Sequence, residues 1–445
     1  MEVKPAEDMG FSLSKFFKYS AISVALITLV LVPSFITNTY IRTLNTLLLI
    51  ALMGLVGRTY FSAIFSFKNI EPPELKDELP SVSVVIPAYN EAQVLEDTIE
   101  ACAEVDYPRD KYEVVLCYEA ASTDGTEEIA EKAGEKYDFL KAVKRDEPGG
   151  GKAKATNYAL EYAENDIIAS IDADHCFKPN AIKRAVRWFD DEDVWCIKGR
   201  CFGYNPTDSL LSLHATVERH IAEKIDIYAR QIFGGFTFFG GGQAFFRSEV
   251  FEEIGSFDED ILVEDIDMST KIHHKGKKIV VDPKVITYEE NPDTLQAWWS
   301  QRKRWARGWM QVAVKHTMGL TGDSDLSVTK RIDGAYTLLY AVVPTFLILL
   351  MPMMVLSYLG VNTTTYLPNS DILWTLAGIA PVTLSYVVFF QDFMQGEKHH
   401  KVEYFAAITL WAYFFFQAFV HLTAFIEEFI FDKKSVYVTT SRAEG

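Results

Sequence analysis

Cysteine is scarce and unpaired in this 445-residue chain. The five, Cys102, Cys117, Cys176, Cys196 and Cys201, are odd in number and include no Cys-x-x-Cys spacing. That excludes a disulfide framework and a zinc ribbon, and it fits a reducing compartment. An excess of basic residues is also missing. The formal net charge is −18, and an acidic surface repels phosphate backbones, so nucleic acid is not an expected partner. No Gly-x-x-x-x-Gly-Lys-Ser/Thr run occurs, so the phosphate loop of an ATPase is not supported. The two ends lack charge. Residues 1–70 hold six Lys/Arg and three Asp/Glu, and residues 331–445 hold six and nine, so the acidity belongs to the middle. At 49% hydrophobic residues, the chain has ample apolar surface to bury and is not disordered.

The ends are apolar enough for a bilayer, which a helix crosses with about 20 mostly apolar residues. Five stretches qualify: 16–36, 43–67, 335–361, 371–394 and 402–431. The first is too long for a cleaved leader, and a second follows at once. Lys4, Lys15 and Lys18 precede the first stretch and Lys68 follows the second, with Arg42 alone between them. The positive-inside bias then places the N-terminus and the middle piece in the cytoplasm. Residues 362–370, without Lys or Arg, belong outside, and 395–401 inside. The fifth stretch carries Glu427 and Glu428, which sit badly in lipid, and Lys433, Lys434 and Arg442 follow it. The side on which the tail lies is therefore open. The expected organisation is a helix pair (1–70), a cytoplasmic globular domain (71–292), an amphipathic surface-helix region (293–330), further membrane helices (331–431) and a short tail (432–445). This is a multi-pass protein of the plasma membrane in contact with the lipid bilayer.

The middle alternates short β-branched runs with helical stretches. Residues 81–87, 112–118 and 166–172 read as strands, and 91–104, 123–137 and 157–164 as largely helical. The rhythm predicts an α/β domain with a mostly parallel sheet. In such sheets ligands bind beyond the carboxyl ends of the strands. Polar residues collect at three of them: Tyr89, Asn90 and Glu91; Glu119, Ser122 and Asp124; Asp172 and Asp174. Asp172-Ala173-Asp174 after an apolar strand can hold a hard divalent cation. Gly149–Gly151 and Lys152 open a helix, where free amides and an ammonium favour phosphate; a plain linker reads the same way. Aromatics around Gly240, Gly241 and Gly242 suggest a face for a flat ligand such as a sugar, or a tight turn. Glu264 and Asp265 stand at a probable helix start, as caps or, in a crevice, as a general base. In 294–316, Trp298, Trp299, Trp305 and Trp309 alternate with Arg302, Lys303, Arg304 and Arg307, a mixture that suits the headgroup layer.

In order, VSVVIPAYNE, STDGT, GGKAKATN, DADH, GGGQAFFR, VEDIDM and QRKRW resemble the processive branch of glycosyltransferase family 2, with its cellulose, chitin, hyaluronan and poly-N-acetylglucosamine synthases. The resemblance covers about residues 80–315. It implies an α/β GT-A domain inserted between N- and C-terminal transmembrane helices. It also implies a nucleotide-sugar donor, usually a UDP-sugar, a glycan or lipid-linked acceptor, and Mg²⁺ or Mn²⁺. Pro87, Tyr89, Glu91, Glu119, Lys152 and Asp172 match the donor-binding positions, and Asp172 and Asp174 the metal ligands. Asp265, with Glu264 beside it, matches the catalytic base. Gly241, Gly242, Gln301, Arg304 and Trp305 match positions at the diphosphate and acceptor, where Arg302 and Arg307 would add positive charge. The tail 436–442 looks like a gating segment, with Tyr437, Thr440 and Arg442 at its aromatic, Thr and basic positions. One departure stands out: Glu119-Ala120-Ala121-Ser122 replaces the usual Asp-Asp-Gly-Ser, which leaves UDP against GDP open. The implied reaction is inverting extension, and possibly translocation, of a polysaccharide; the alternative is transfer of one or a few sugars to a lipid carrier or glycolipid.

Overall fold

The computed structural model describes residues 1–5, 12–36, 38–358 and 365–439. Ten strands form two sheets: β1 (Glu2–Pro5), β2 (Val82–Ala88), β3 (Tyr112–Glu119), β4 (Leu140–Arg145), β5 (Ile167–Ile171), β6 (Cys176–Phe177), β7 (Val194–Gly203), β8 (Gln243–Arg247), β9 (Lys278–Glu289) and β10 (Val436–Thr439). The large sheet has the order β4-β3-β2-β5-β8-β7-β9-β6. Val82, Val84, Val85 and Ile86 of its central strand β2 are all buried. A continuous apolar strand of this kind needs cover on both faces. The helix Ala92–Ala103 supplies Leu95 and Ile99 against Val84 and Ile86. On the other face Ala155 and Ala159 of the helix Gly151–Leu160 pack on Val85.

The expectation of a mostly parallel sheet holds for β2, β3, β4 and β5. It misses β8, which runs antiparallel between β5 and β7. That inversion has a use. It pairs Ile171 with Gln243, so the glycines before β8 arrive at the head of β5, and the Asp172 N–H donates to the Gly242 carbonyl at 3.0 Å. The helix expected at 157–164 begins earlier, at Gly151, and ends at Leu160. Gly150, at φ +90°, makes the left-handed turn that starts it, a conformation that favours glycine.

Among the described residues five helices are long and apolar enough to cross a membrane: Leu13–Val32, Thr39–Phe65, Val328–Met351, Ser370–Gln395 and Lys401–Ile430. The long helix Leu295–Gly322 opens on Thr294, whose hydroxyl accepts from the Ala297 N–H at 3.3 Å. Its tryptophans do not all turn outward as the headgroup pattern suggests. Trp298 is fully buried. It stacks on Phe416 with ring centroids 5.4 Å apart and donates to the Tyr413 hydroxyl at 2.9 Å. Trp305 and Trp309 pack against the cluster around Phe236 and Phe238. An indole that finds both an apolar bed and an acceptor within the protein has no need of the membrane interface.

Ion pairs tie the domain of the large sheet to the apolar helices. Arg200 of β7 grips Asp392 with both guanidinium nitrogens at 2.7 Å. Arg58, the lone charge in its apolar stretch, reaches Asp226 at 2.7 Å and Asp333 at 2.8 Å. Near the two ends of the chain, β1 and β10 pair in parallel as a two-stranded sheet that meets the large domain at Gly150.

Candidate functional site

A cavity of about 390 Å³ opens beyond the carboxyl ends of β2, β3 and β5. Pro87, Tyr89, Glu91, Glu119, Lys152, Asp172 and Asp174 line it, with Gly241, Gly242, Glu264, Asp265, Gln301, Arg304, Trp305 and Tyr437. The sequence-predicted site residues are thus on one cavity except Arg307 and, outside the described residues, Thr440 and Arg442. Three polar residues from the strand ends serve the turns instead. Asn90 accepts from the Thr123 N–H and Asp124 from the Ala92 N–H. Ser122 accepts from the Asn90 N–H. These bonds hold the β2 and β3 loops together under the cavity floor.

Lys152 stands in the first turn of its helix. Its Nζ is 2.5 Å from Asp172 and 3.8 Å from Glu264. Burial alone would lower the ammonium's pKa, but the two carboxylates outweigh it and raise it, so a fixed positive charge faces the cavity. Behind Glu119 sits Arg145, 3.4 Å away and as buried as its partner. The same guanidinium nitrogen donates to the Glu147 carbonyl and its neighbour to the Gly149 carbonyl, fixing the glycine turn that leads to Lys152. Loss of solvent raises the Glu119 carboxyl, with Arg145 opposing.

Asp265 sits in the first turn of the helix Glu264–His274. It accepts from the Ile266 N–H at 2.8 Å and from the Gly241 N–H. Its carboxyl is pushed up to about 7, first by loss of solvent and then by Glu264, with Lys152 opposing. A carboxylate poised near neutrality in a crevice is suited to take a proton.

Asp172 and Asp174 offer carboxylate oxygens within 4.8 Å of each other and of a His175 nitrogen. The imidazole is already engaged on both sides, with Asp174 at 2.9 Å and Glu289 at 3.1 Å, so the available donors are carboxylate oxygens. That set fits a hard divalent cation such as Mg²⁺ or Mn²⁺. His175 was visible in the sequence only as the residue after Asp174; its part in orienting Asp174 emerges from the fold. It also explains a glycine. A Cβ on Gly242 would fall 2.3 Å from the His175 Nε2, and Gly242 has φ +70°. Gly242→Ala is therefore expected to remove activity and lower the thermal midpoint, whereas Gly255→Ala, with open space around it at φ +90°, should cost only backbone strain of about 1–3 kcal/mol. Equal midpoints for the two variants would show that the His175 contact does not matter.

Across the cavity Arg304 lies over the Tyr437 ring at 4.5 Å, and a Cβ on Gly151 would meet that ring at 2.8 Å. The tail strand is thus on the cavity wall, and the Met1 carbonyl takes the Gly150 N–H at 2.7 Å. Of the basic arm, Arg302 and Arg304 reach the cavity. Arg307 does not: it bonds Glu428 at 2.9 Å and the Lys433 carbonyl at 2.6 Å. Glu218, which pairs with Arg302 at 2.8 Å, carried no sequence signal, since its partner is far along the chain.

Residues 80–308 match the profile of the family described as Glycosyltransferase like family 2. A probable glycosyltransferase, YdaM, of Bacillus subtilis is 32% identical over 241 residues, 54% of this chain and 57% of that protein. The beta-monoglucosyldiacylglycerol synthase of a Nostoc species is 27% identical over 271 residues, 60% of this chain and 57% of that protein. The poly-beta-1,6-N-acetyl-D-glucosamine synthase of Staphylococcus aureus is 27% identical over 260 residues, 58% and 61% of the two chains. The chain thus spans less than two thirds of the length of these curated relatives. Among solved structures, the mannosyltransferase PcManGT of Pyrobaculum calidifontis, in complex with GDP-Man and Mn²⁺, superposes with a TM-score of 0.56 at 23% identity. The match covers 87% of this chain and 99% of that one. It speaks to the fold, including the helices that flank the domain.

Proposed function

Since the chain belongs to glycosyltransferase family 2, we propose that it is an inverting, membrane-embedded transferase that moves a sugar from a nucleotide-diphosphate donor to an acceptor hydroxyl. The observation that carries the reading is the placement of Asp265 and the Lys152–Asp172 pair on one cavity. Asp265 takes the proton of the acceptor hydroxyl. The acceptor oxygen then bonds to the anomeric carbon from the face opposite the departing group, and the bond to the nucleoside diphosphate breaks. Lys152, Arg304 and the amides that open the Gly151–Leu160 helix favour the negative charge that leaves with the diphosphate. Asp172 and Asp174 would hold Mg²⁺ or Mn²⁺, which supplies further charge neutralisation at that diphosphate. Gln301 and Trp305 face the acceptor, and Glu264 keeps Lys152 in reach of Asp172. Tyr437 on the tail strand acts as a gate over the donor.

The product favoured by the motif order is a growing polysaccharide, with the catalytic domain on the cytoplasmic side of the plasma membrane and the chain possibly passed outward. A second reading, transfer of one or a few sugars to a glycolipid, draws on a different observation. Tyr413, on the apolar helix Lys401–Phe425, donates to Glu218 on the cavity wall at 3.0 Å, which brings the acceptor side to the membrane. Purified protein given labelled UDP- and GDP-sugars decides by product size. Long polymer supports the first reading, and a short organic-extractable product supports the second. Chelation with EDTA is expected to abolish turnover, with Mg²⁺ or Mn²⁺ restoring it; unchanged turnover in EDTA would exclude a metal at Asp172 and Asp174.

A further inference from the structure

The cavity has two chemically different ends. At one, Lys152, Arg304 and backbone amides offer positive charge. At the other, beyond Asp265, the wall is built by the helix Leu210–Ile221, the one-turn π-helical segment Ala222–Ile227 and residues 289–293. Here every cation is already committed. Arg302 donates to Glu218 at 2.8 Å, with side chains only 8% and 17% exposed. Arg219 pairs with Glu289 in the same way, at 16% and 8%. Asp293, half-buried on this wall, has no cationic partner within salt-bridge distance among the described residues. The two enclosed pairs cancel, and Asp293 adds a carboxylate to a wall that Glu290 also lines.

An anionic group entering here must break an enclosed ion pair or sit beside a carboxylate. Both are costly where water is scarce. An uncharged polyol meets neither penalty. It can hydrogen-bond the pairs as they stand and lay an apolar ring face on Trp305, whose indole lies under Arg302 at 4.5 Å. We propose that the acceptor presents an uncharged sugar to this wall, and that Glu218 and Asp293 set this preference by denying Arg302 to a phosphate or an acid sugar. The inference rests on the transferase reading above. The neutral sugar is the non-reducing end of a glycan or the headgroup of a glycolipid, which share this chemistry.

The test uses the full-length protein in nanodiscs and a matched pair, octyl β-glucoside and octyl β-glucuronide, below their micelle concentrations. The two differ only in a hydroxymethyl group against a carboxylate. Binding is read by saturation-transfer NMR without donor, and transfer by label from the nucleotide sugar. The glucoside is expected to bind and react about tenfold or more in preference to the glucuronide, since like-charge juxtaposition costs several kcal/mol. Glu218→Gln, which releases Arg302, and Asp293→Asn should each narrow that ratio by gaining glucuronide. A glucuronide bound as well as the glucoside by the wild type overturns the proposal, as does an unchanged ratio in both variants. Selective glucoside binding with no label transfer upholds the inference while sinking the transferase reading. A free glucose tetrasaccharide in parallel tells a glycan end from a lipid headgroup.

Discussion

Asp265→Asn is expected to lower the transfer rate by about 10²–10⁴-fold, the range a positioned general base supplies, with donor binding retained. The amide keeps the shape but has a single acceptor oxygen where Asp265 uses both of its own for the Ile266 and Gly241 N–H groups, so it loses one of those bonds, and it cannot take a proton. The wild-type pH profile sharpens this. With its carboxyl near 7, Asp265 is protonated and idle below that pH and becomes the base above it. The rate should therefore climb through about pH 7 and level off on the alkaline side. The residual activity of the Asn variant should lack this limb. A variant that retains the same limb would assign it to another group, and one that retains full turnover would remove Asp265 from the chemistry.

Asp392→Asn is expected to destabilise the folded protein by about 3–5 kcal/mol, the cost of leaving one partner of a buried pair uncompensated. The Arg200 and Asp392 side chains are 1% and 0% exposed, and the His399 Nε2 also contacts Asp392 at 2.9 Å. Removing one carboxylate leaves a guanidinium in a seam that water cannot enter. The thermal midpoint in detergent should fall markedly, and the double variant Arg200→Met with Asp392→Leu should recover only the guanidinium's share of the loss, because Lys224 at 3.5 Å and His399 at 2.9 Å also face that carboxylate. A small effect of the single change would mean that water reaches the seam. A double variant no better than the single would mean that packing, not charge, holds it.

The sequence made legible whatever is local. β2 and β3, the turn residues at their ends, the Asp172-Ala173-Asp174 triplet and the helix start at Glu264 each rest on a few neighbouring residues, where periodicity and turn chemistry act. The direction of β8 was not legible. A period-two pattern fixes which side chains face the core but says nothing of whether neighbours run up or down. The pairs that shape the acceptor wall and brace the membrane helices escaped for a different reason. Glu218 with Arg302, Arg58 with Asp226 and Arg200 with Asp392 join residues from remote parts of the chain, and no spacing rule reaches that far. Arg58 at least left a hint, since a charge inside an apolar stretch needs a partner. Trp298 misled because an indole among basic residues looks the same from sequence whether lipid or Phe416 covers it.

The pairing of β1 with β10 bears on how the chain threads a bilayer. A chain whose two ends are knit together is, to a membrane, a closed loop, and a closed loop pierces a sheet an even number of times. Of the five candidate spans among the described residues, an even number is then expected to pass through. The one to set aside is Lys401–Ile430. Near one end Glu403 meets His220 of the catalytic domain at 3.0 Å. Near the other, Glu427 and Glu428 meet Lys303 and Arg307 of the long helix at 3.1 Å and 2.9 Å. A helix moored to the same body at both ends is expected to lie along the membrane's surface and to leave four crossings, a count that cysteine labelling from either side of sealed vesicles checks.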